Sequence, residues 1–244
     1  MSLLKKLNTG GKDVEQAKDT LGGGSFIRES NIYIAEIVVA YLTESQNGAT
    51  AVNFEFKMED GNNYRETIYV SNRDGETFYS KDGKKYPLPG FTTVDNICMI
   101  TTEKGLAEQE TEDKTLMLWD FESGKEIPRE VPVLVELTGQ SVALGILHVK
   151  ENKTAKNEST GKYEPINEAR ELNTISAVFH PEAKVTVNEA MEGRDPAFWD
   201  AWLKRNEGRL VDKYKEVQQR GSRASSKAST SSSAPARKSM FKKD

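Results

Sequence analysis

Hydrophobic and polar residues alternate along the first half of the chain with the period of β-strands. Residues 50–58 place Val52, Phe54, Phe56 and Met58 on one side, with Asn53, Glu55 and Lys57 on the other. Upstream, residues 31–42 are rich in Ile and Val; both of their faces carry apolar groups, so Tyr33 and Tyr41 have no assigned side. Asp60-Gly61-Asn62-Asn63 is a turn signal, which makes 50–58 and 64–71 a hairpin. In its second strand Ile68 and Val70 face the core, while Arg65, Thr67 and Tyr69 project from the opposite face. Phe54, Phe56 and Phe91 are assigned to the core. Pro87 and Pro89-Gly90 end the extended region, and 93–101 suits a short helix capped by Thr92 or Thr93, with Asp95 in its first turn. Strand character returns over 115–121, 141–149 and 169–179, with a polar hairpin or flexible loop between 150 and 163.

Three strands, a helix, then two or more strands is the order of a five-stranded Greek-key barrel of the OB type. The predicted fold is therefore mainly β, an OB-type barrel with a short inserted helix, followed by C-terminal helices. Asp195 and Pro196 read as the cap and first position of one helix, with Phe198, Trp199 and Trp202 following within two turns. Phe198 and Trp202 lie four apart and share a face, which packs onto the barrel. The predicted organisation is a flexible N-terminal arm over 1–24, a barrel domain over 25–187, a helical extension over 188–219 and a disordered basic tail over 220–244.

Composition narrows the function. No apolar run is long enough to span a bilayer and the N-terminus lacks the apolar middle of a signal peptide, so a cytoplasmic protein is expected. The net charge of −4 is uneven: residues 220–244 hold seven Lys/Arg against one Asp, which leaves 27 basic and 37 acidic residues, or −10, on the body. An acidic body disfavours duplex DNA binding through a broad basic face. It permits a local cationic groove, because salt confines exposed charges to roughly 8 Å. The −10 body and +6 tail are also complementary to each other. Catalysis has little support: two His without metal-ligand spacing, no phosphate-binding glycine loop and no nucleophile-base order, so neither metal nor cofactor is expected. The single cysteine, Cys98, sits in an apolar run and reads as a buried inert thiol.

The chemistry concentrates in residues 62–91. Tyr64, Arg65 and Tyr69 lead into a hairpin with Arg73, Phe78, Tyr79, Lys81, Lys84, Lys85 and Tyr86. An unpaired nucleic-acid strand needs flat rings for its bases and cations for its phosphates, and this interleaving offers both. Tyr69, Phe78, Tyr79 and Tyr86 are the candidate base-stacking residues; Lys57, Arg65, Arg73, Lys81, Lys84 and Lys85 are the candidate phosphate contacts. A merely soluble β-edge would show some of the same composition.

The run YRETIYVSNRDGETFYSKDGKKYPLPGF, followed by LAEQETEDKTLMLWDFESGKEIPREVPVLVELTGQSVALGI, resembles phage-encoded single-stranded DNA-binding proteins. The group is that of lytic podophages that package their own virion RNA polymerase. The resemblance covers residues 23–187 and implies an OB-type fold coating single strands during phage DNA replication and recombination, in the cytoplasm of the infected bacterial host. Phage replication proteins, or host RNA polymerase in a transcription-adaptor role, are the implied partners. Bacterial single-stranded DNA-binding proteins end in an acidic tip with a terminal Phe. Here Phe241 stands instead among Arg237, Lys238, Met240, Lys242 and Lys243, so the acidic-tip mechanism does not carry over, and the expected target of this partner-binding tail is either the DNA backbone or an acidic patch on a partner polymerase.

Overall fold

The computed structural model describes residues 26–120, 123–158 and 160–217. The arm expected over 1–24 and the tail expected over 220–244, with Arg237, Lys238, Met240, Phe241, Lys242 and Lys243, lie outside the described residues.

Strands β1 (Asn31–Glu44), β2 (Thr50–Met58) and β3 (Asn63–Tyr69) form the expected antiparallel meander. The alternation in β2 buries Val52, Phe54, Phe56 and Met58, and the rings of Phe54 and Phe56 stack with centroids 5.1 Å apart. Ile68 and Val70 join that core, and Phe91 packs against it half-buried. The two apolar faces of β1 have a physical reason. Its register shifts between Ile37 and Val39, so Tyr33, Ala35 and Ile37 before the bulge, then Ala40 and Leu42 after it, serve the same core. Ile32 and Ile34 serve a second cluster on the other side of the sheet. Tyr41 pairs with Asn53 and so stands on the outer face.

The helix α1 (Pro89–Thr102) closes the first core with Val94, Ile97 and Cys98. It starts four residues earlier than the sequence predicts, and its expected caps fail. Pro89, with φ already set for a helix, follows an extended Leu88 without any side-chain cap. The hydroxyls of Thr92 and Thr93 donate backward to the carbonyls of Leu88 and Pro89, while Asp95 accepts from the Leu106 N–H at 2.8 Å.

Beyond α1 the chain builds β6 (Thr111–Asp120) and β7 (Lys125–Leu134), then β8 (Ser141–Lys156) and β9 (Tyr163–Phe179). The short hairpin before α1 holds β4 (Phe78–Lys81) and β5 (Lys84–Pro87). β7 was not expected, because Pro128 and Pro132 mask its strand pattern. Of the two readings for the polar stretch after Lys150, the hairpin holds: the ladder continues to Lys156 opposite Tyr163. Cross-strand ion pairs hold it, Arg170 with Glu151 at 2.7 Å and Lys153 with Glu168 at 3.1 Å.

The sheet runs β3-β2-β1-β8-β9, with β7 also meeting β1 through Tyr41 and Val133. It is not closed as a barrel: among the described residues no ladder joins its two edges, β3 and β9. A side chain occupies the gap. The Glu66 carboxylate accepts from the Ile175 N–H at 3.1 Å, from the Thr174 hydroxyl at 3.3 Å and from the Tyr64 hydroxyl. A strap of chain crosses the same seam. Arg28, buried, pairs with Asp60 at 2.5 Å, and its backbone N–H and C=O are both met by Asn173 of β9. The Arg28 hydrogen bond holds the Asp60 carboxyl well below the usual carboxylate range.

α2 (Val187–Met191) lies beside α1, α3 (Phe198–Asn206) lies on the far side of the sheet, and β10 (Leu210–Asp212) extends the sheet beside β8 where β1 ends. Asp195 does not cap α3. The buried Glu189 of α2 accepts instead from the N–H groups of Ala197 and Phe198, at 3.0 and 2.7 Å. Burial alone would raise its pKa, but these bonds and those from Thr186 outweigh it and hold the group ionised. The aromatic face of α3 packs on the sheet as the spacing predicts. Trp202 is buried, Phe198 lies 6.0 Å from Phe179, and Trp199 meets Phe179 edge-on at 5.2 Å.

The seam makes a stability prediction. Glu66→Ala leaves the Ile175 N–H and the Tyr64 hydroxyl without their acceptor and should cost about 1–3 kcal/mol in urea unfolding, with Glu66→Gln costing less. Burial raises the Glu66 pKa above its model-compound value of 4.5. Its contribution is therefore fully present below that value and lost as pH rises through the folded value. Relative to wild type, Glu66→Gln should gain stability as pH climbs from 4 toward neutrality; a constant difference would refute the assignment.

Candidate nucleic-acid interface

Asp82 and Gly83 form the turn of the β4–β5 hairpin, with φ of 52° and 73°. Two successive left-handed residues make the primed turn that matches strand twist, which is why Asp-Gly stands there. Register then sorts the side chains. Tyr79 faces Tyr86 and Lys81 faces Lys84 on one side of the ribbon; Phe78 faces Pro87 and Ser80 faces Lys85 on the other.

The Tyr79 and Tyr86 rings stack with centroids 5.6 Å apart and an interplanar angle of 26°. They stay 46% and 40% exposed. Beside them, among the described residues, neither Lys81 nor Lys84 has a carboxylate within ion-pair distance. Like charges directly opposite destabilise a ribbon, so this pair sits at a local energetic cost that an anion would relieve. Phe78 does not join the tyrosine face. Its ring lies under the Lys85 ammonium, 4.1 Å from the centroid, on the reverse side.

The outer face of β2 and β3 carries the remaining candidates. Tyr69 is 54% exposed at the end of β3, on the same face as Arg65. Arg65 is not free, since Glu55 across the ladder holds it at 3.0 Å and also accepts from Asn63 at 2.7 Å. Lys57 is exposed at the far end of β2, and Arg73, in the loop after β3, sits 3.7 Å from Asp74. The structure therefore brings Tyr79, Lys81, Lys84 and Tyr86 together, places Tyr69 at their root, and compensates Arg65 and Arg73 with acids.

Gly90 sets where the hairpin stands. A Cβ on it would lie 2.1 Å from the Tyr69 carbonyl oxygen, so only glycine lets α1 start against the end of β3. The Leu88 N–H also reaches the Thr77 carbonyl at 2.8 Å. The hairpin thus leaves the sheet and returns to it at nearly one point.

One part of this face was not readable from sequence. Thr67 donates to Asn53 and Asn53 donates to Thr43, both at 2.7 Å, giving a hydrogen-bonded row across the three strands. Short polar residues carry no signal until register aligns them. The reactive groups elsewhere are occupied. Burial pushes the Cys98 thiol up to about 12; His148 meets Glu171 at 2.8 Å; and His180 Nδ1 accepts from the N–H groups of Glu182 and Ala183. Among the described residues no cluster of His, Cys, Asp or Glu could hold a metal ion, and no helix is long and apolar enough to cross a membrane.

Neither a protein-family model nor a curated protein matches the sequence.

Two substitutions test the hairpin. Gly90→Ala should destabilise the protein by about 1–3 kcal/mol through overpacking against Tyr69, read by denaturant unfolding. Lys84→Glu should leave hairpin stability equal or raise it by about 0.2–1 kcal/mol, because it turns a repulsive cross-strand pair into an attractive one. Backbone hydrogen exchange over β4 and β5 measures the second effect, and faster exchange would contradict it.

Proposed function

We propose that this protein binds single-stranded DNA without strong sequence preference. It coats and protects the strand during phage DNA replication and recombination in the cytoplasm of an infected bacterium. The observation that carries the reading is the exposed Tyr79–Tyr86 ring pair on the same hairpin face as Lys81 and Lys84, which no carboxylate among the described residues pairs. Bases stack on rings whatever their identity, and phosphates need only a positive neighbour, so such a face tolerates sequence. Tyr69 extends the platform onto the sheet, and the Thr43–Asn53–Thr67 row offers donors and acceptors beyond it.

The fold reading that accompanies this is an OB-type core opened along one seam. The order β3-β2-β1-β8-β9, with α1 between β3 and β8, supports it. The β4–β5 and β6–β7 hairpins are then insertions. The outer face of strands two and three, where OB folds bind oligonucleotides, carries the candidate residues. The resemblance to phage single-stranded DNA-binding proteins points the same way. A transcription-adaptor role draws on the tail alone, and the geometry adds nothing to it.

Binding should favour single strands over duplex of equal length, with log affinity falling as salt rises by about 0.7 per phosphate neutralised. Tyr79→Ala or Tyr86→Ala should each cost about 1–3 kcal/mol of binding with little change in that slope. Lys81→Ala with Lys84→Ala should flatten the slope by one to two phosphates' worth, on the order of 1 in log–log units. Fluorescence anisotropy with labelled oligonucleotides over a salt series reads all of these. Equal affinity for duplex, or normal binding by folded tyrosine variants, would sink the proposal.

A further inference from the structure

The β6–β7 hairpin is an arm with no stated role in the site above. Register divides its side chains into two faces. One carries Leu116, Leu118, Ile127 and the buried Val131 and Val133, with Arg129 paired to Asp120 at 2.5 Å. The other carries Met117 opposite Pro128 and Trp119 opposite Glu126, with Thr115 opposite Glu130 and Asp113 opposite Pro132. On this second face Met117 is 59% exposed and Trp119 is 55% exposed. Among the described residues no cation lies within ion-pair distance of Asp113, Glu126 or Glu130. Two large apolar side chains held open to water inside an acidic rim form a docking surface, not a solvated strand.

The chain contains one segment of complementary chemistry. Met240 and Phe241 are flanked by Arg237, Lys238, Lys242 and Lys243, an apolar pair inside a basic rim. We propose that the arm face of one molecule receives the Met240–Phe241 segment of a second copy, so that the protein associates head to tail.

Strand register favours a second copy over the molecule's own tail. β7 meets β1 at Tyr41 and runs antiparallel to it, so the arm projects past the Glu44 end of β1. β8 leaves β1 at Asn31 and continues the other way, and Val217 is held there by Asn167 of β9. From the tail's root to Met117 and Trp119 the path covers the distal part of β8, the body of β1 and the arm. At about 3.3 Å per residue that is on the order of 70 Å along the strands. About 20 residues separate Val217 from Arg237; a flexible chain of that length spans about 25 Å on average, well under half that path. Val217, from which the tail departs, and the arm face thus lie at opposite ends of the described residues. A contact of that kind is heterologous and propagates into a row. It needs no nucleic acid, so it stands or falls separately from the function proposed above.

The test is sedimentation velocity of the full chain without nucleic acid, over a concentration series at low and high salt. Wild type should self-associate, less so at high salt. The arm variant Glu126→Lys with Glu130→Lys, and the tail variant Lys242→Glu with Lys243→Glu, should each lose association about tenfold, since like charges then face each other. An equimolar mixture of the two variants should regain it, because every arm again meets a tail of opposite sign. Docking of each tail on its own arm would keep the wild type monomeric throughout; that result, or no recovery on mixing, overturns the proposal. Phe241→Ala and Trp119→Ser should each weaken association even at high salt, where charge alone is screened. Far-ultraviolet circular dichroism of the native sheet keeps misfolding from passing as lost association, and folded variants that associate normally also overturn it.

Discussion

A half-buried carboxylate holds this fold in its curled form. Among the described residues the two edge strands of the five-strand run approach without pairing, and Glu66 alone supplies acceptors to the backbone of β9 across the gap. A ladder would satisfy every N–H and C=O along both edges; one side chain satisfies a few groups and leaves the rest to water and to the Arg28 strap. The result is a sheet that curls enough to enclose α1 and its core but keeps a line of weakness along one side. The Tyr64 phenol, its pKa raised by burial and by the neighbouring Glu66, shares that carboxylate and ties ring packing to the same point.

Everything on the outer face inherits its position from this curl. The bulge at Val38 keeps β1 feeding the same core on both sides of its register shift, while the strand's other face, through Ile32 and Ile34, feeds a second. Gly145 permits the second, since a Cβ there would come within 3.0 Å of the Trp202 ring. The α3 indole also reaches the Ser176 hydroxyl at the bulge in β9, so a polar bond fixes the far layer where the ladder breaks register. The candidate interface consequently stands on a strand backed by packed side chains rather than on a free loop.

The meander, the core face of β2, the aromatic face of α3 and the Asp82-Gly83 turn were legible because each follows from local periodicity or from a dihedral that few residues accept. Barrel closure was not, because strand order says nothing about whether the last gap is bridged by backbone or by Glu66. β7 was hidden by Pro128 and Pro132, and the polar residues of the distal β8–β9 hairpin left hairpin and loop undecided until register paired them. At the site, the residue types were readable but their partition was not. Only register shows Phe78 on the reverse of the ribbon, Arg65 held by Glu55, and Lys81 facing Lys84. The start of α3 was misread for a similar reason, since its cap comes from Glu189, far from the Asp195 that local rules favour.

The hairpin's footing at Tyr69 and Gly90 has an evolutionary corollary. Because the excursion departs and returns at one spot, its length and content are nearly decoupled from the sheet that carries it. Insertions, deletions or wholesale exchange of residues between those two anchors leave the core's closure entropy almost unchanged, since that cost grows only slowly with loop length. Related chains are then free to diverge fastest in the segment proposed to meet DNA, while Gly90 itself has no substitute. The same economy makes this hairpin the natural place to graft a different recognition ribbon onto an unaltered scaffold.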